Sequence, residues 1–122
     1  MAGQKNILII EDNLKESQEL AAFFTENGFS VMAAADGEAA FKLIEEKLPD
    51  LIILDVILPK VDGFTIAKKI KYEEKTKQTP IIVLTAKDGM RELFAIEGIP
   101  EYLVKPVAKE ALLELVKKYL KT

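Results

Sequence analysis

The sequence predicts an α/β fold in which a five-stranded parallel sheet carries helices on both faces. Three short apolar runs support this prediction, and each is rich in β-branched residues: ILII at 7–10, LIIL at 51–54 and IIVL at 81–84. Short runs without polar alternation are typical of strands buried on both faces, as in parallel sheets. Because helical patterns lie between the runs, we expect parallel strands joined by right-handed crossovers.

Two weaker patterns supply the remaining strands, FSVMA at 29–33 and EYLV at 101–104. The first helix is predicted to start behind Asn13 as its N-cap, with Glu16 three residues later completing a capping box. Leu14 is expected on the buried face of this helix, and Gly28 is placed to end it.

The other four helices are predicted from caps and apolar stripes. The second follows Asp36, buries a stripe that extends to Leu48, and stops at Pro49. Asp62 is the predicted cap of the third helix. The fourth is predicted to start near Asp88 and to end before Gly98, and the fifth is predicted over residues 107–120.

Composition restricts the chemistry that the chain can perform. The chain has 122 residues, which predicts one domain over 1–122, and a net charge of −3 without a basic block, which argues against a nucleic-acid surface. It contains neither cysteine nor histidine, so thiolate chemistry and imidazole bases are excluded. Its apolar runs are too short for a signal peptide or a membrane span, so we expect a cytoplasmic protein without membrane contact.

Polar residues follow four of the predicted strands at the point where each strand ends. Glu11 and Asp12 follow the first strand, Asp55 the third, Thr85 the fourth and Lys105 the fifth. Parallel strands end at one edge of the sheet, and ligands bind outside that edge. Each residue alone could be a turn, a cap or a solvated surface group, but capping needs do not explain the whole set.

Three carboxylates at one edge repel each other unless a cation joins them. A small number of oxygen ligands with room for water suits Mg²⁺ better than Ca²⁺. A metal ion beside Asp55, with a lysine opposite, would attract a phosphoryl group, whose transfer depends mainly on positioning and charge neutralisation. Asp55 could itself be the nucleophile, since it is already ionised at neutral pH.

Four segments carry a family resemblance by their order and spacing: ILIIEDN, LIILDVILPKVDG, IIVLTA and EYLVKP. Through these segments, the chain resembles the receiver domain of two-component response regulators. The resemblance covers nearly the whole chain and is closest to the chemotaxis type. It implies a flavodoxin-like fold with strand order 2-1-3-4-5. It also implies a Mg²⁺ cofactor, with Asp12, Asp55 and the backbone carbonyl of Ile57 as direct ligands and Glu11 assisting through water.

The same resemblance assigns the phosphoryl chemistry. Asp55 is identified as the phospho-acceptor, and Lys105 as the group that pairs with the phosphoryl oxygens. Thr85 resembles the hydroxyl that moves towards the phosphoryl group, and Tyr102 the aromatic residue that changes rotamer when it does. The peptide before Pro106 is usually cis in this family.

As a function, the resemblance implies a signalling switch that catalyses only its own Mg²⁺-dependent phosphorylation and dephosphorylation. The implied partners are a sensor histidine kinase or phosphotransfer protein and a downstream target or output domain, with possible homodimerisation on phosphorylation. The segment between Thr85 and Gly98 is shorter than usual, so a degenerate receiver that only binds or dimerises stays an alternative.

Two further alternatives are enzymes or carriers on the same kind of fold. A phosphohydrolase with an aspartyl nucleophile would usually carry a second acid two residues later, where this chain has Ile57. A flavin carrier would bind phosphate after the first strand, where Glu11 and Asp12 would repel it. A phosphorylation assay, a turnover assay and the colour of the pure protein distinguish these possibilities.

Overall fold

The computed structural model describes residues 3–122, so the first two residues of the predicted domain lie outside it. Strands and helices alternate along the described chain. The elements are β1 (Asn6–Ile10), α1 (Leu14–Glu26), β2 (Ser30–Ala34), α2 (Gly37–Glu46), β3 (Leu51–Leu54), α3 (Gly63–Tyr72), β4 (Ile81–Thr85), α4 (Arg91–Ile96), β5 (Glu101–Val104) and α5 (Lys109–Leu120). All five predicted strands are confirmed.

The strands form one sheet in the order β2-β1-β3-β4-β5, and every neighbouring pair is parallel. This confirms the order that the resemblance implied. The register aligns Ile10 of β1 with Leu54 of β3, and Leu54 with Val83 of β4. The carboxyl ends of the central strands therefore lie side by side at one edge of the sheet.

The sheet separates two hydrophobic cores. Leu8 and Ile10 of β1 face the core that α2, α3 and α4 cover, whereas Ile7 and Ile9 face the core under α1 and α5. The central strands β1 and β3 are buried on both faces. Their continuous apolar sequence follows from this burial, since neither face of the strand meets solvent.

Local hydrogen bonds account for the ends of α1. The Asn13 side chain accepts a 3.0 Å bond from the Glu16 N–H, which confirms the predicted N-cap. At the other end, the N–H groups of Gly28 and Phe29 donate to the carbonyls of Thr25 and Phe24. This is a Schellman motif, and it requires the positive φ of 93° that Gly28 adopts.

Two leucines predicted on buried helix faces are exposed instead. Leu14 is 69% exposed because α1 starts beyond the carboxyl end of β1, where its first turn has less sheet to cover. Leu48 is 49% exposed because α2 ends at Glu46, two residues before the predicted stripe does. Both predictions were wrong at helix ends, where periodicity gives the least information.

The fourth helix is shorter than predicted and starts later. It covers six residues, Arg91–Ile96, and Met90 at its N-cap position makes no side-chain capping bond. Gly89 lies outside the helix with a φ of 91°, so the chain between Thr85 and Arg91 is a loop. Phe94 anchors the short helix in the core, where its ring packs against Phe64 and Tyr102.

Candidate functional site

The carboxyl edge of the sheet gathers the polar residues that the sequence placed there. Glu11 and Asp12 follow β1, Asp55 follows β3, Thr85 is the last residue of β4, and Lys105 follows β5. One carboxylate oxygen from each of Glu11, Asp12 and Asp55 lies within 4.8 Å of the others. The Lys105 ammonium contacts two of these acids. The predicted cluster is therefore present as a spatial unit.

Backbone contacts fix the position of Asp55. Its N–H donates a 3.0 Å bond to the Ile10 carbonyl, and its Oδ1 accepts a 3.0 Å bond from the N–H of Ile57. The residue is 6% exposed. Burial acts to raise the pKa of Asp55, but hydrogen bonding with the Thr85 hydroxyl and the Ile57 N–H and the charge of Lys105 outweigh it. The pKa therefore lies below its ordinary value, and the carboxylate is ionised at neutral pH.

Glu11 has a different electrostatic balance. Its Oε1 accepts a 2.7 Å bond from Lys105, and its Oε2 accepts a 3.0 Å bond from the Asn13 N–H. Burial is the largest influence and raises the pKa of Glu11, although the bonds from Lys105 and Asn13 oppose the rise. The contact with Asn13 also corrects the predicted capping box: Glu11, and not Glu16, satisfies the N–H of the cap residue.

Lys105 lies among three carboxylates. Its Nζ is 2.6 Å from Glu16, 2.7 Å from Glu11 and 3.3 Å from Asp55. Burial acts to lower the pKa of Lys105, but the hydrogen bonds with Glu11 and Glu16 reverse that effect and raise it. The peptide between Lys105 and Pro106 is cis, as the resemblance implied.

Glu16 is the residue of this site that sequence reasoning missed. It was interpreted as part of a cap, yet its carboxylate makes the shortest contact of the Lys105 ammonium. The two residues are 89 positions apart. A sequence signal existed, since Glu16 lies about one helical turn after the acids Glu11 and Asp12 and can point back to the same edge.

Thr85 and Tyr102 are connected through the backbone of Lys87. The Thr85 side chain is fully buried, and its Oγ1 accepts a 3.2 Å bond from the Lys87 N–H. The Tyr102 hydroxyl donates a 2.5 Å bond to the Lys87 carbonyl. Tyr102 is 1% exposed, with its ring centroid 5.5 Å from that of Phe94 and Arg91 over its face. The two predicted switch residues therefore contact the same loop residue, and the tyrosine side chain points into the core.

The acidic cluster suits a hard divalent cation. Its donors are carboxylate oxygens, which Mg²⁺ prefers, and three of them converge from two strand ends. Asp12 is exposed, whereas Glu11 and Asp55 are buried, so the site combines fixed ligands with access for water. The side chain of Ile57 is exposed beside this cluster, and a role for its backbone carbonyl stays a prediction.

A cleft extends from the acidic cluster between α1 and α5. Its volume is about 460 Å³, and its walls include Glu19, Leu20, Lys109 and Leu112 together with the residues around Lys105. Its lining combines charged residues with apolar ones. The cluster is therefore open to the surface on the side of α1.

Comparisons with known proteins agree with this geometry. The response regulator receiver domain profile matches residues 7–117. The transcriptional regulatory protein AfsQ1 of Streptomyces coelicolor is 41% identical over 109 residues, which cover 88% of this chain and 47% of that protein. The chain spans about half the length of AfsQ1 and of the response regulator MprA of Mycolicibacterium vanbaalenii.

Solved structures give the same result. A two-component response regulator from Clostridium difficile matches with a TM-score of 0.89 and 35% identity, covering 97% of both chains. The receiver domain of the sensor histidine kinase PA1611 from Pseudomonas aeruginosa has a TM-score of 0.86 and 32% identity, with 99% of this chain and 100% of that one covered. That structure has a magnesium ion coordinated in its active site cleft.

The parallel sheet with an acidic cluster and a lysine at its carboxyl edge defines a phosphorylatable signalling domain. The chain belongs to the response regulator receiver domain family. It is a receiver domain of the two-component type, and such domains act as signalling switches. Within residues 3–122, every helix is too short or too polar to cross a lipid bilayer.

Proposed function

We propose that this domain accepts a phosphoryl group on Asp55 and changes conformation in response. The placement of Asp55 supports this most directly. It is a buried carboxylate at the end of a central strand, within the acidic cluster and 3.3 Å from the Lys105 ammonium. An acid in this environment is ionised, oriented by backbone contacts, and next to a positive charge.

The transfer is a nucleophilic substitution at phosphorus. A carboxylate oxygen of Asp55 forms a new O–P bond while the P–N bond of a phosphohistidine, or of the small donor phosphoramidate, breaks. The bonding electron pair leaves with the donor. Because the pKa of Asp55 lies below its ordinary value, no base has to remove a proton from the nucleophile.

Mg²⁺ is the cofactor that fits the acidic cluster. Asp12 and Asp55 would hold it directly, Glu11 would assist through water, and the backbone carbonyl of Ile57 would complete the protein ligands. When bound, the ion would neutralise charge on the phosphoryl oxygens. The convergence of the three carboxylates supports this assignment.

Lys105 would pair with a phosphoryl oxygen through its ammonium group. The 3.3 Å contact between Lys105 and Asp55 supports this role. The Thr85 hydroxyl would donate to another phosphoryl oxygen. The link from Thr85 through Lys87 to Tyr102 would carry this change to the surface around α4 and β5.

We infer the biological context of this domain from its family. The domain, taken as residues 1–122, would act in the cytoplasm and receive its phosphoryl group from a sensor histidine kinase or phosphotransfer protein. It would control a target protein or an output domain, and homodimerise on phosphorylation in some settings. The domain itself would contact neither nucleic acid nor membrane.

Substitution of the acceptor tests the proposal. Asp55→Asn keeps the acceptor of the Ile57 N–H bond but removes the nucleophile. Intact-protein mass spectrometry after incubation with phosphoramidate and Mg²⁺ should show one phosphoryl adduct on the wild type and none on the variant. Asp62→Asn is the matched control, since asparagine also caps α3. An adduct on Asp55→Asn equal to that of the wild type would refute the assignment.

A further inference from the structure

All three donors of the Lys105 ammonium can be assigned to carboxylates. An ammonium group has three N–H donors. They are directed at Glu16, Glu11 and Asp55, at 2.6, 2.7 and 3.3 Å. The contact with Asp55, where we place the phosphoryl group, is the longest. The lysine therefore lies closer to Glu11 and Glu16 than to the acceptor.

The two acids that hold Lys105 most closely differ in their access to water. The Glu16 side chain is 47% exposed, whereas that of Glu11 is 9% exposed. A pair with a half-exposed partner is screened by solvent and breaks at little cost. Breaking the pair with Glu11 would leave a buried carboxylate without its cation, which costs much more. When Lys105 has to turn, Glu16 is the partner that it can leave.

We propose that Glu16 is a positioning residue that restrains Lys105 and competes with the phosphoryl group on Asp55 for its ammonium. This inference rests on the proposed function and extends it. Phosphorylation adds roughly two negative charges at Asp55. Lys105 must then direct a donor to the new oxygens, and it does so by releasing Glu16 to solvent.

The release of Glu16 makes binding at the site less favourable. The strength of the Lys105–Glu16 pair is subtracted from the interaction between Lys105 and the phosphoryl group. A half-exposed ion pair of this kind corresponds to a factor of about three to five in an equilibrium constant. Glu16 therefore sets how readily this domain enters its phosphorylated state, independently of the metal ligands.

The chain contains a matched control for this effect. Glu19 lies about one helical turn further along α1, is exposed, and lines the same cleft. Glu16→Gln and Glu19→Gln each remove one negative charge from the same wall of the cleft. The described hydrogen bonds of the Lys105 ammonium include Glu16 and not Glu19. A difference between the two variants therefore reports the contact between Glu16 and Lys105, and not the general electrostatic effect of removing a negative charge from the cleft.

The experiment uses beryllofluoride, which imitates the phosphoryl group without turnover. Amide chemical shifts of Thr85 and Tyr102 are followed during a beryllofluoride titration in excess Mg²⁺. We expect Glu16→Gln to bind beryllofluoride about three- to fivefold more tightly than the wild type. Glu19→Gln should bind it within the error of the wild-type value. Thermal unfolding of all three proteins verifies that each is folded.

Ionic strength separates the ion pair from a change in packing. The advantage of Glu16→Gln over Glu19→Gln should shrink when salt is raised from about 0.05 M to about 0.5 M, because salt screens an exposed pair. A packing effect would persist at both concentrations. A salt-independent gain would therefore overturn the proposal even if the variant binds more tightly.

The remaining outcomes distinguish the two proposals. If the wild type binds beryllofluoride and Glu16→Gln binds it no more tightly, the role of Glu16 is refuted and the function of the domain is not. An equal gain in Glu19→Gln would also refute the role of Glu16, since the cause would then be the loss of any negative charge from the cleft. If the wild type shows no response to beryllofluoride, the proposed function fails and the role of Glu16 fails with it.

Discussion

The Tyr102 hydroxyl is hydrogen-bonded to the Lys87 carbonyl at 2.5 Å, and the N–H of the same Lys87 donates to the Thr85 hydroxyl. A side chain on β5 is thereby joined to the last residue of β4 through two contacts with one loop residue. The loop leads into the short helix α4. The position of this loop therefore depends on both predicted switch residues.

Tyr102→Phe should loosen this loop without disturbing the core. The ring keeps its packing, but the Lys87 carbonyl loses its donor, so we expect the free energy of unfolding to fall by about 1 kcal/mol. Urea denaturation measures this change. The beryllofluoride-induced shift at Lys87 should also become smaller.

Tyr119→Phe is the matched control for that prediction. It removes a hydroxyl that donates a 2.7 Å bond to Glu101, away from the Thr85 loop. We expect a similar loss of stability and an unchanged shift at Lys87. If both variants lose the beryllofluoride response equally, the connection through Lys87 is not specific to Tyr102.

The location of the site could be predicted because it depends on topology. Glu11, Asp55 and Lys105 each follow a strand directly, and parallel strands bring their carboxyl ends together regardless of side-chain detail. The order of the strands, in contrast, came from family resemblance. Strand and helix periodicity alone fit several orders.

What the sequence did not predict depends on contacts between distant segments. The pairing of Glu16 with Lys105 joins α1 to the loop after β5. The spacing of Glu16 after Glu11 and Asp12 indicates the edge of the sheet that it faces, but it does not identify Lys105 as its partner. The exposure of Leu14 has a related cause, because it depends on how far α1 extends past the sheet. Contacts and exposure of this kind can be read only from the folded structure.

Asp12→Ala should stabilise the protein when Mg²⁺ is removed. Asp12 adds an exposed negative charge beside Glu11 and Asp55, so its loss relieves repulsion. We expect an increase in the free energy of unfolding on the order of 1 kcal/mol in EDTA at low salt, with loss of phosphorylation. Thermal melting in EDTA and mass spectrometry with phosphoramidate measure the two effects.

Glu11→Gln is the comparison variant, because the Glu11 carboxylate is held by an ion pair and by a backbone hydrogen bond. Its carboxylate accepts from Lys105 and from the Asn13 N–H, so neutralising it removes an ion pair along with the repulsion. We expect no comparable stabilisation in EDTA. A lower melting temperature for Asp12→Ala than for the wild type would contradict the view that the acidic cluster is repulsive without its ion.

Gly63→Ala should destabilise the fold and displace the acceptor. A Cβ atom at residue 63 would lie 2.7 Å from the Val56 Cα and even closer to the Asp55 carbonyl oxygen. Backbone atoms cannot yield as a flexible side chain does, so we expect a loss of about 1–3 kcal/mol. Urea denaturation measures the loss, and phosphorylation should slow as well. Gly3→Ala, where the added atom meets open space, should change neither quantity.

Residues 86–97 form a loop followed by α4, whose six residues begin without a side-chain cap and are anchored in the core by Phe94. Helix α2, in contrast, has ten residues, and the Ala39 N–H donates a capping bond to the Asp36 side chain. Segments with few hydrogen bonds and few buried contacts open first, so this segment should be the most mobile part of the unphosphorylated protein.

Hydrogen exchange of individual amides measures this difference. The amides of residues 86–97 should exchange faster than those of α2, and the amide of Phe94, which donates to the Met90 carbonyl, should be among the slower ones within the segment. Beryllofluoride should increase the protection of residues 86–97. We expect its binding to engage the Thr85 hydroxyl, and the Lys87 N–H is hydrogen-bonded to that hydroxyl. The amides of α2, remote from that contact, serve as the internal control. Equal protection of the two segments, with and without beryllofluoride, would show instead that α4 is a well-packed helix that has only lost a turn.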